Sequence, residues 1–126
     1  MNKENKMIVF QDKKIRRIWH GKKWYFAVVD IVKVLSESSD PKQYIKKIRS
    51  RDPELNSNWG IICTPLELIA DDGKKRKMNC VSVEGVFRII QSIPSKKAEP
   101  FKRWLARVGR ERIDEMGGGR VKKYLK

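Results

Sequence analysis

The residues best placed to do chemistry are cations set at helical intervals. In "AEPFKRWLARVGR" (98–110), a helix turning about 100° per residue puts Phe101, Leu105 and Val108 on one side, flanked by Ala98 and Trp104. Arg103, Arg107 and Arg110 fall on the opposite side, with Lys96 if the helix reaches back that far. The apolar side reads as core and the basic side as surface. In "PKQYIKKIR" (41–49), Lys42, Lys46 and Arg49 recur at i, i+4 and i+7, roughly opposite Tyr44 and Ile48. Like charges at that spacing repel by a few tenths of a kcal/mol per pair. A polyanion would turn that repulsion into attraction, whereas a plain solvated face would leave it in place. "KKRK" adds Lys74, Lys75, Arg76 and Lys77 at a hairpin tip, and "HGKK" (20–23) forms a second basic tip. Basic β-ribbons follow phosphates or enter grooves, although tip lysines also serve solubility. Trp19, Trp24 and Tyr25 offer rings for unpaired bases, yet strand alternation sends at least one face of that set to the core.

Catalytic constellations are weaker. The single histidine, His20, sits in a turn and completes no nucleophile–base pair. Glu67, Asp71 and Asp72 raise a metal-dependent nuclease, but Asp71 and Asp72 adjoin Gly73, where Asp favours local turn bonding. Cys63 and Cys80 have no zinc spacing and make no disulfide framework. No glycine loop leads into a helix, since "GGG" follows one. The expectation is a protein with no catalytic residues, no metal and no cofactor.

The totals agree with the charged faces. Across 126 residues, 30 Lys and Arg oppose 15 Asp and Glu, giving +15. Such a field draws polyanions, nucleic acid first and an anionic membrane surface second. No long apolar run suggests a signal peptide or a membrane span. The expected location is the reducing cell interior, the cytoplasm.

The elements that must position these residues are short. "MIVFQ" (7–11) reads as a strand followed by a turn at "DKK" (12–14), and "IRRIWH" and "KWYFAV" as a hairpin about Gly21. Val28, Ile31, Val32 and Leu35 mark a helix over 28–37. Asp40 followed by Pro41 is a cap and a first-turn proline, which starts a second helix running to about Arg49. Residues 49–60 read as irregular. "IICTPLELIA" (61–70) and "KMNCVSV" (77–83) pair through "DDGKKR". A helix over 82–93 has Ser82 as its cap and stops at Pro94, and the last helix extends from near Lys97 to about Met116. The expected fold is α+β, with small antiparallel hairpins packed against about four helices in one domain. The first two helices match a helix-turn-helix in length but lack its turn glycine.

The order of motifs resembles a family. "RRIWHGKKWYFAVVDIVKVLSESSDPKQYIKKI" followed by "LIADDGKKRKMNCVSVEGVFRIIQSIPSKKAEPFKRWLARVGRERIDEM" resembles Bro-N. This is the N-terminal domain of baculovirus Bro proteins and many phage antirepressors. Cys80 to Glu115 is most similar to the subgroup of DNA-damage-inducible protein D. The resemblance divides the chain into an N-terminal segment with the first strand (1–13), a Bro-N-like domain (14–116) and a short basic tail (117–126). It implies DNA binding by an α+β module, commonly joined to a variable C-terminal domain, and supplies no base-contacting residues. Here the sequence runs only to "GGGRVKKYLK", a departure that bears on the antirepressor role more than on DNA binding.

The resulting expectation is a non-enzymatic DNA-binding module of phage or prophage origin, acting in transcription regulation. Lys42, Lys46, Arg49, Arg103, Arg107 and Arg110 would contact phosphates of duplex or single-stranded DNA. Lys74, Lys75, Arg76 and Lys77 would flank them as a ribbon. Gln43 is the nearest candidate for a base edge. A homodimer would suit a palindromic operator. The alternative is a protein-interaction module that captures a repressor or another acidic partner.

Overall fold

The computed structural model describes residues 5–110 of the chain. Turn chemistry sets the first three strands: β1 (Asn5–Phe10), β2 (Lys13–His20) and β3 (Lys23–Ala27). Gln11 and Asp12 have φ of 48° and 69°, and Gly21 and Lys22 have 58° and 66°. Two consecutive left-handed residues make the tight turn whose twist matches that of antiparallel strands. The first turn therefore falls at 11–12, one residue before the expected "DKK".

β3 runs directly into α1 (Val28–Ser36), followed by α2 (Pro41–Arg51) and α3 (Pro53–Ile62). Asp40 caps α2 as expected, its carboxylate accepting from the Gln43 N–H at 3.2 Å. The stretch read as irregular is helix α3, and its signal repeats that of α2. Asp52 precedes Pro53 as Asp40 precedes Pro41, and its carboxylate accepts from the Leu55 N–H at 3.0 Å. Asp52 also accepts from Ser92 Oγ at 2.6 Å and pairs with Arg88 at 3.2 Å. Ser92 and the Leu55 N–H, with help from Arg88, hold its pKa down at about 2.

Ile61 and Ile62 belong to α3, so β4 (Thr64–Ile69) is shorter than the expected 61–70. β5 (Lys75–Ser82), α4 (Val83–Gln91) and α5 (Ala98–Val108) complete the described residues. Ser82 sits at the start of α4, but its hydroxyl donates to Glu84 Oε1 rather than capping the backbone. The last helix ends at Val108, with Gly109 as its C-cap and a turn at 109–110, rather than running on without a break toward Met116. Residues 111–116 and the tail at 117–126 lie outside the described residues.

The sheet order is β1-β2-β3-β5-β4, antiparallel throughout. Phe10, Ile15, Trp24, Phe26 and Val81 face one core, which side chains from all five helices complete. The α+β expectation holds, with five helices among the described residues. Gly85 lets α4 close on β5, since a Cβ there would lie 2.8 Å from Val81 Cβ. The other sheet face holds a smaller cluster of Ala27, Leu68 and Cys80, with Ile18, Tyr25, Leu66 and Met78 around it. β2 and β4 touch although β3 and β5 lie between them, so the sheet curls around this second cluster. Cys63 and Cys80 are buried free thiols in the two separate clusters. Burial raises their pKa values to about 11 and about 12.

Both outer strands are blunted. Trp104 Nε1 donates to the Val9 carbonyl of β1 at 3.0 Å, and Pro65 of β4 has no N–H to offer. None of the helices among the described residues is long and apolar enough to cross a membrane.

Candidate nucleic-acid interface

The antiparallel pairing sorts the loops to two ends of the sheet. Ala27 opposes Cys80 and Tyr25 opposes Ser82. One end therefore carries the β1–β2 turn, the start of α1 and the β4–β5 tip. The other carries the β2–β3 tip and the start of α4.

At the first end, the start of α2 meets the β4–β5 tip. Lys42, Arg76 and Lys77 line one cleft of about 430 Å³ together with Lys33 of α1 and Arg16, and with the carboxylates Asp30, Asp40 and Asp71. At its wall lies an ion pair that extends the strand ladder. Asp30, in the first turn of α1, accepts the Arg16 backbone N–H at 2.8 Å and its Nε at 2.8 Å, while Arg16 Nη2 reaches Oδ1 at 2.7 Å. A planar fork on a carboxylate is the strong form of such a pair. The bond to Asp30 also raises the Arg16 pKa. Arg16 Nη1 donates to the Ile69 carbonyl at 3.1 Å, tying β2 to the far edge of the curled sheet. Arg16 is thus committed to the wall of the cleft, and the lysines are left without such bonds among the described residues.

The expected site residues separate by geometry. Lys42 and Lys46 stand exposed on α2, as do Lys74, Lys75, Arg76 and Lys77 on the hairpin. Arg76 forms a short ion pair with Asp72, whose carboxylate also accepts the Lys74 N–H at 3.0 Å. Arg76 and that N–H lower the Asp72 pKa, so Asp72 acts in the turn. Arg49 is half-buried: its Nε donates to Asn56 Oδ1 at 2.8 Å and its guanidinium lies 5.0 Å above the Trp59 ring. Arg103 and Arg107 are exposed on one side of α5, opposite the buried Phe101, Trp104, Leu105 and Val108, and Arg110 is exposed in the turn just past the helix end.

Arg110 lies at the second end. It shares a groove of about 510 Å³ with Lys22 and Lys23 of the β2–β3 tip, over Trp19, Phe87 and Leu105. The structure thus joins three of the expected cations in the first cleft and sends a fourth to the opposite end. Trp24 is core, stacked under the buried Arg17 at 3.8 Å, and Trp19 is half-buried against it. Arg17 also donates to the Val108 carbonyl at the end of α5, where a cation meets the negative end of the helix dipole.

Lys33 is the residue that the sequence pattern did not single out. It is one exposed cation in an apolar helix, and only the position of α1 beside the hairpin gives it neighbours. Lys33, Lys42 and Lys77 make no ion pair among the described residues, which leaves their charge available to a ligand. No group of three or more His, Cys, Asp or Glu that could hold a metal occurs among the described residues.

The family model described as "BRO family, N-terminal domain" matches residues 14–111. No curated protein matches the chain, and no solved structure does.

Proposed function

The chain belongs to the BRO family by its N-terminal domain, and from that premise we propose that it is a non-enzymatic DNA-binding module of phage or prophage origin, acting in transcription regulation. The observation that carries this reading is the meeting of Lys42 and Lys77, distant in sequence, with Lys33 in one cleft. A groove of uncommitted lysines between a helix start and a β-ribbon suits a phosphate backbone, which gives affinity and register without sequence information. The exposed arginines of α5 add a second strip of the same charge.

Fluorescence anisotropy with random-sequence duplex across a salt series tests the reading. The slope of log affinity against log salt, divided by about 0.9, counts the phosphates neutralised. A count of several supports the cleft. No binding to duplex or single-stranded DNA at low salt, despite a charge of +15, sinks it.

A further inference from the structure

Four large apolar side chains stand exposed among the described residues: Met7, Val9, Ile61 and Ile69. Single exposed apolar residues are ordinary, and clustered ones are not. Two of these four, Met7 and Ile69, line one cleft, and Val9 lies beside Met7 on the same strand. Met7 and Val9, two apart on β1, point to the same side of the sheet. Met7 lies opposite Arg16, and Arg16 reaches the Ile69 carbonyl. Met7 and Ile69 both line a cleft of about 450 Å³, with Val34, Lys13, Lys14 and Lys33 also in its lining.

Open cations outnumber open carboxylates in this cleft. Asp30 is taken by Arg16 at 2.7 Å, Asp71 lies 3.6 Å from the same guanidinium, and Asp12 is the one carboxylate of the lining left outside an ion pair among the described residues, against Lys13, Lys14 and Lys33. The three lysines make no ion pair among the described residues. The facing strand groups are partly closed, since Trp104 takes the Val9 carbonyl and Arg16 takes that of Ile69. Docking here would thus run through side chains rather than by addition of a strand. A nucleic-acid backbone gains little from Met7 and Ile69. A second copy of a chain with net charge +15 brings like charge to the lysines.

We propose that this cleft docks a segment of a protein partner that carries apolar side chains flanked by Asp or Glu. The site does not depend on DNA binding. It shares Lys33 and Arg16 with the cleft assigned to phosphates, so a docked acidic segment competes with DNA.

The test pans a phage-displayed library of random short peptides on the whole protein, with the Met7→Ser/Ile69→Ser double variant as counter-target. The expected peptides combine Leu, Ile or Phe with Asp or Glu. As fluorescent synthetic peptides they bind the wild type about tenfold more tightly than the variant, weaken with salt and displace duplex DNA. Peptides that bind both proteins equally, or that carry no acidic residues, overturn the proposal. If the double variant does not melt like the wild type, Lys13→Glu/Lys14→Glu takes its place with the same expected loss. Anisotropy on the same preparations separates the two readings. DNA binding without a discriminating peptide defeats the docking site alone, and peptide binding without DNA binding defeats only the DNA reading.

Discussion

Helix α5 displays Arg103 and Arg107, with Arg110 just past its end, from a body anchored by four buried residues, Phe101, Trp104, Leu105 and Val108. Helix α2 displays Lys42 and Lys46 from a body with one, Ile48. In sequence the two look like the same device, cations opposite an apolar stripe. In the fold they differ in what holds them. Phe101 packs edge-on to Phe10 at 4.9 Å, Trp104 bonds β1, and Arg17 grips the end of α5. The ends of α2 are set by two Asp–Pro caps. Cations on α5 are therefore carried by a pillar of the core, and those on α2 by a lightly seated surface helix. The same charge pattern thus says nothing about how firmly its bearer is fixed.

The strongest way to break this comparison is to remove one anchor from each helix. Phe101→Ala should cost about 3–5 kcal/mol, against about 2–5 for Ile48→Ala. Thermal or urea unfolding should place Phe101→Ala as the less stable protein, because its neighbours Phe10 and Trp104 lose contacts too. A larger loss from Ile48→Ala would mean that α2 is not the lightly held partner.

Charge reversal sharpens the functional half. Lys42→Glu/Lys77→Glu should lower duplex affinity on the order of tenfold or more and reduce the salt slope by about 2, with the melting temperature unmoved. Arg103→Glu/Arg107→Glu should reduce the slope similarly if α5 also touches DNA. An unchanged slope would confine the interface to the cleft.

Arg49 tests a group that both folds and faces solvent. Arg49→Gln removes its contact with the Trp59 ring, worth about 0.5–1 kcal/mol at an exposed site. Chemical denaturation should show that small loss, and anisotropy a slope reduced by about 1 at most.

The gentlest probe is pH. Asp52, shared by α2 and α3, has a folded pKa of about 2, below its ordinary 3.8. A carboxylate depressed on folding stabilises fully above its unfolded value and loses that contribution as pH falls through the folded one. Melting temperature should therefore decline between about pH 4 and pH 2, and Asp52→Asn should flatten that part of the curve. An identical acid limb in the variant would remove Asp52 from the account.

Much of this was open to reading in the chain. Val28, Ile31, Val32 and Leu35 gave α1, Asp40–Pro41 gave α2, and Gly73 gave the β4–β5 hairpin. Each signal lies within a few residues of what it controls. Helix α3 was legible in the same way, since Asp52–Pro53 repeats the capping pattern. Its weakly sided sequence, with only Leu55 and Trp59 buried, hid it from a search for stripes. The turn after β1 was legible only to within a residue, because neither Gln11 nor Asp12 is a glycine although both take positive φ. In the candidate site, the outward faces of α2 and α5 followed from periodicity. The capture of Arg49 by Asn56 and Trp59 did not, since its partners lie on the next helix.

The sequence by itself determined the charge, the capped helix starts, the apolar stripes and the basic tips, because these depend on local dihedrals and helical spacing. The tertiary structure alone decided which cations meet. The non-local pairing of β3 with β5 carries the two basic tips to opposite ends of the sheet. The curl that brings β2 to β4 then sets Arg16 against Ile69 and Lys33 between two clefts. Nothing within a few residues of Lys33 or Lys77 records that they share a wall. That adjacency is a property of strand order, which only burial of the whole core selects.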